Sequence, residues 1–74
     1  MTIHPMSLEK YLIHPDEWET CGAPSEALDL AKDESSQGVP TGLVKHPEHG
    51  WFVLQTSGQG PYIIWSENAL DPAK

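Results

Sequence analysis

Arginine is absent from this sequence, and four lysines stand against eleven Asp and Glu, a formal net charge of −7 over 74 residues. Phosphate contacts depend on Lys and Arg releasing counterions, so direct binding of nucleic acid is disfavoured, and anionic membranes are repelled. The single cysteine, Cys21, excludes an internal disulfide framework and favours a reducing compartment. Its thiol reads as a small buried apolar group. No stretch approaches the ~20 apolar residues of a membrane span. Met1-Thr2-Ile3-His4-Pro5 lacks the basic start and apolar run of a signal peptide. The expected location is therefore the cytoplasm. A chain this short holds one domain and buries a modest share of its surface, which leaves little room for an enclosed active site with supporting side chains.

What is present is aromatic material for a core and an uneven distribution of acid. Three Trp, two Tyr and one Phe fall within a hydrophobic content of 38%, enough to anchor a small core without cross-links. Seven acids (Asp16, Glu17, Glu19, Glu26, Asp29, Asp33 and Glu34) lie between positions 16 and 34, against Lys32 alone. The last thirty residues are nearly neutral and carry most of the aromatics.

Residues 1–10 mix polar side chains with Pro5 and two Met, and read as a flexible lead-in; 11–70 form the single compact domain and 71–74 a tail. Tyr11-Leu12-Ile13 is a short extended segment ended by His14-Pro15, since proline disfavours helix at the residue before it. Trp18, between Glu17 and Glu19, lies over the edge of the core. Gly22-Ala23-Pro24-Ser25 opens a helix, with Pro24 at its first position or Ser25 as its cap. The helix runs from about 25 to 37 and is stopped by Gly38 and Pro40. Ala27, Leu28 and Ala31 share one arc of it, with Leu30 at the margin, and Glu26, Asp29 and Asp33 form a stripe opposite.

Three runs rich in β-branched and aromatic residues follow at 43–45, 51–55 and 62–65, separated by turn chemistry in Pro47-Glu48-His49-Gly50 and Ser57-Gly58-Gln59-Gly60-Pro61. The expected fold is α+β: one amphipathic helix on an antiparallel sheet of three or four strands, in the order β-α-β-β-β. Both faces of the second and third of these strands are apolar, and one helix covers only one face. The other face requires the N-terminal segment, a second copy of the chain or a partner. His14-Pro15-Asp16-Glu17-Trp18 echoes His46-Pro47-Glu48-His49-Gly50-Trp51, a similarity expected by chance of two turns that enter strands.

No constellation supports catalysis. His46, Glu48 and His49 are ligand types that suit zinc, but they sit in one turn and the sequence assigns no fourth ligand, though His4, His14 or Cys21 could approach. Solvent exposure or a structural role is the expectation, with no metal and no cofactor. Cys21 lacks the surroundings of a nucleophile. The adjacent acids Asp16 and Glu17, and Asp33 and Glu34, serve solvation. Gly58-x-Gly60 precedes a strand, whereas a phosphate-binding loop follows a strand and opens a helix.

The acidic stripe remains. Charged residues ordinarily occupy the outer face of an amphipathic helix; here, however, the carboxylates are barely neutralised, and a row of carboxylates imitates a nucleic-acid backbone and fits a basic groove. In size, acidity, acidic helix and small aromatic-rich sheet, the chain resembles the small proteins that phages and mobile elements direct against host defence, the anti-CRISPR proteins in particular. The resemblance implies a non-enzymatic inhibitor, a DNA mimic whose partner is a basic DNA-binding surface of a CRISPR-associated subunit. Its binding residues would be the seven acids. The competing expectation is a homodimeric or regulatory module that works through an open apolar sheet face containing Trp51, Val53, Tyr62 and Ile64.

Overall fold

The computed structural model describes residues 2–3, 5–56, 61–68 and 71–72. In chain order these form β1 (Thr2–Ile3), a first 3₁₀ helix (Pro5–Tyr11), β2 (Leu12–Ile13), a second 3₁₀ helix (Pro15–Glu17), α1 (Ser25–Ser36), β3 (Thr41–His46), β4 (Gly50–Gln55), β5 (Tyr62–Ser66) and β6 (Asp71–Pro72). Strands β2, β3, β4 and β5 make one antiparallel sheet in that spatial order. The fold is α+β with the four-stranded sheet. Strands β1 and β6 pair in parallel, Thr2 with Asp71 and Ile3 with Pro72, which joins the segment expected as a lead-in to the one expected as a tail. His4, Ser57-Gly58-Gln59-Gly60 and residues 73–74 lie outside the described residues. Among the described residues no helix is long and apolar enough to cross a membrane.

Helix α1 begins at Ser25, as expected, but its cap is neither Ser25 nor the residue before Pro24. Pro24 is its N-cap, extended at φ −58° and ψ 146°, and the Pro24 carbonyl accepts the first helical bond from Leu28 N–H at 3.0 Å. Its far end follows from Gly38 at φ 84°. There the Gly38 N–H donates to Ser35 and the Val39 N–H to Glu34, both at 3.1 Å, the paired bonds of a glycine-terminated helix.

Register decides what each sheet face carries. Opposed pairs Leu43–Val53, Lys45–Trp51 and Ile13–Leu43 share one face. Helix α1 covers it with Ala27 and Ala31, four residues apart and both fully buried, together with Trp18. The opposite face carries Val44, Phe52 and Leu54, all fully buried. Strand β5 departs from the simple alternation of its sequence. Val53 pairs with Trp65 and Leu54 with Ile63, which leaves Ile64 as an extra residue in a bulge. Ile64 and Trp65 consequently both pack on the helix side, while Ile63 joins Phe52 and Leu54.

The second apolar face is closed by the chain's own N-terminal segment. Within the segment 1–10 that reads as a flexible lead-in, Pro5–Tyr11 folds as the first 3₁₀ helix across the sheet, so of the three covers the second face could have, the N-terminal segment supplies one. With three residues per turn, Leu8 and Tyr11 stand on one face of that helix. Leu8 is fully buried against Val44, Phe52 and Leu54, and Tyr11 packs beside it.

Candidate functional site

The acids occupy two neighbouring segments. Asp16 and Glu17 belong to the second 3₁₀ helix, Glu19 to the turn after it, and Glu26, Asp29, Asp33 and Glu34 to α1. All are exposed except Glu34, which is half-buried. The turn is fixed from below by the indole of Trp18, which donates through Nε1 to the Ile13 carbonyl at 3.1 Å. Cys21 Sγ donates to the Trp18 carbonyl at 3.1 Å, so its thiol caps a turn.

Lys32 is the junction between the segments. Its Nζ donates to Glu19 Oε1 at 2.5 Å. This hydrogen bond, and secondarily the charge of Lys32, holds the Glu19 carboxyl below the usual carboxylate range. The same bond and the charge of Glu19 raise the Lys32 amine, with a smaller contribution from Asp29. The bond ties the turn that carries Glu19 to the helix that carries Glu26, Asp29, Asp33 and Glu34. Asp33 Oδ2 accepts from Gln37 Nε2 at 3.2 Å.

The two His-Pro segments share a device that the sequence comparison left to chance. His14 Nδ1 accepts the Asp16 N–H at 3.3 Å and caps the second 3₁₀ helix. That nitrogen also lies 3.4 Å from the Asp16 carboxylate, an ion pair that needs a protonated ring and so competes with the cap. His46 Nδ1 accepts two backbone N–H groups, from Glu48 at 3.0 Å and His49 at 3.1 Å. Each segment then delivers a tryptophan, Trp18 or Trp51, to the same core cluster. His46 and His49 are stacked, with ring centroids 4.7 Å apart. Among the described residues, no group of three or more His, Cys, Asp or Glu is placed to hold a metal ion.

The turn between β3 and β4 also relies on residues the sequence reading passed over. Glu67 Oε1 accepts the Trp51 N–H at 3.3 Å, and Asn68 Nδ2 donates to the His49 carbonyl at 2.6 Å. Gly50 has φ 82°, a left-handed backbone that favours glycine, and a side chain there would displace the end of Glu67 from its bond to Trp51.

Trp51, Val53, Tyr62 and Ile64 do not form an open face. Trp51 and Val53 lie in the core beneath α1, and Ile64 packs on that cluster. Tyr62 is the exposed member of the four, at 54%. The β5 bulge and the cover supplied by α1 account for the difference. A shallow depression of about 350 Å³ lies at the β2 end of the sheet, lined by Leu12, Ile13, His14, Pro15, Thr41, Gly42 and Thr56; it brings together no acid–base or nucleophilic pair.

No family model matches the chain, and no curated protein or solved structure resembles it closely enough to count as a match.

Proposed function

We propose that this protein is a non-enzymatic cytoplasmic binder whose acidic surface, Asp16, Glu17, Glu19, Glu26, Asp29, Asp33 and Glu34, docks on a basic nucleic-acid-binding surface of another protein. The observation that carries the reading is the joining of turn and helix acids around Lys32, the one cation among them. Carboxylates left in excess on a surface repel one another, and a basic partner relieves that repulsion while speeding encounter. The anti-CRISPR resemblance supplies the specific form of the proposal: a DNA mimic that occupies the DNA channel of a host defence complex.

The test uses DNA-binding CRISPR effector complexes and a labelled target duplex. The wild-type protein is expected to prevent duplex binding, with an effect that weakens as salt is raised. Changing Glu26, Asp29 and Asp33 together to lysine should abolish the inhibition while the circular-dichroism spectrum stays native. Equal inhibition by wild type and reversal variant would overturn the assignment of the acids. Binding that is indifferent to salt would overturn the electrostatic mechanism.

A further inference from the structure

We propose that the stacked His46–His49 pair is a pH-sensitive latch that holds the first 3₁₀ helix over the sheet and releases it when the imidazoles take up protons. Leu8 of the helix lies in the apolar cluster, with Tyr11 beside it. Tyr11 also meets the edge of the His46 ring, centroid to centroid 4.9 Å. The position of His46 therefore bears on that of Tyr11, at the end of the helix.

The His46 Nδ1 atom is held as an acceptor. Nδ1 receives the N–H groups of Glu48 and His49, a role open only to an unprotonated nitrogen. Once Nδ1 carries a proton, it faces two donors with a third. The stacked ring of His49 adds a like charge 4.7 Å away when both rings are protonated. Imidazole is the side chain that ordinarily changes charge between about pH 5 and 8, so the latch closes at the upper end of that range and opens toward the lower.

Among the described residues, groups from several elements stand near the ring. From the first 3₁₀ helix come the Tyr11 phenol and Lys10, whose Nζ lies 5.3 Å from the Tyr11 ring centroid. From the turn come Glu48 and His49, and from β4 the uncharged Phe52, edge-on at 6.5 Å. Glu67 braces the turn from beyond β5, and Lys45 precedes His46 with its Nζ over Trp51. The charged groups among these are Glu48, Glu67 and the two lysines, and none of them replaces the lost acceptor. Opening uncovers Val44, Phe52 and Leu54 and leaves the α1 side of the sheet closed.

The experiment is amide hydrogen exchange on the full chain at pH 7.5 and pH 5.0, corrected for intrinsic rates. Protection at Leu8, Tyr11, His49 and Phe52 should fall about tenfold at the lower pH, the equivalent of losing one buried hydrogen-bonding arrangement, while Ala27 and Ala31 keep theirs. His46→Asn retains an acceptor that does not titrate in this range, and should abolish the pH response. His14→Asn should leave it in place. Uniform loss across both faces, no loss at all, or an unchanged response in His46→Asn would each overturn the proposal. If His46→Asn fails to fold, ring nitrogen shifts of the wild type decide: the His46 charge must appear together with the loss of protection at Tyr11.

Discussion

Leu8 contributes more to the core than its place in the sequence suggests. It has polar or exposed neighbours in Ser7 and Glu9, and no helical or strand period runs through the segment. Its burial follows from a period of three that puts Leu8 and Tyr11 on the sheet side, and one period in so short a segment does not register as a pattern. Replacing Leu8 with alanine removes the side chain that fills the space above Val44, Phe52 and Leu54, and should cost about 2–4 kcal/mol in urea unfolding. Leu8→Met keeps the volume and should cost less than about 1.5 kcal/mol. A loss below about 0.5 kcal/mol for the alanine variant would mean that the first 3₁₀ helix does not close this face in solution. The acceptor role of His46 was equally hidden, because a sequence displays an imidazole as a ligand or a charge and does not show which backbone groups point at it.

At the scale of elements, the sequence was most readable where a local rule and the tertiary fold agree. Gly38 closes α1 by a backbone conformation that needs nothing beyond the chain nearby, and Ala27 and Ala31 face the sheet as their spacing requires. Legibility stopped at β5: its alternating apolar pattern hides the bulge at Ile64, which arises from pairing with β4, and nothing in it shows that Trp51, Val53 and Ile64 lie on the face that α1 covers, with Tyr62 left exposed. The Glu19–Lys32 pair is another contact between elements that no spacing rule reveals, since thirteen positions separate the partners. Its pH behaviour has a defined sign. The Glu19 carboxyl lies below 4.5 in the folded protein, so its contribution to stability is present above the ordinary value and is lost as pH falls through the lowered one. The Lys32 amine lies above 10.5, so its contribution is present below that value and is lost as pH rises through the raised one. Glu19→Gln should return the Lys32 amine toward 10.5, and Lys32→Gln should return the Glu19 carboxyl toward 4.5, both followed by NMR titration. Unchanged midpoints would show that the pair does not persist in solution.

For the molecule as a whole, the formal charge of −7 acts on folding and on the proposed binding with opposite dependence on salt. Among the described residues the cross-element ion pair is Lys32 with Glu19, on the exposed surface, and such pairs contribute little to stability. Repulsion among the acids on α1 and the preceding turn is then the larger electrostatic effect on folding. Raising ionic strength from about 0.01 M to about 0.15 M shortens the screening length from about 30 Å to about 8 Å. The urea midpoint should therefore rise with salt, while affinity for a basic surface falls. The triple lysine reversal on α1 relieves the same repulsion, so its own midpoint should depend less on salt than that of the wild type, provided that the loss of Glu26 from the first helical turn does not dominate. Measuring unfolding and inhibition across one salt series separates the two effects. A midpoint that falls with salt would show that attractive pairs outweigh the repulsion, and the excess of surface carboxylates would then no longer argue for a basic partner.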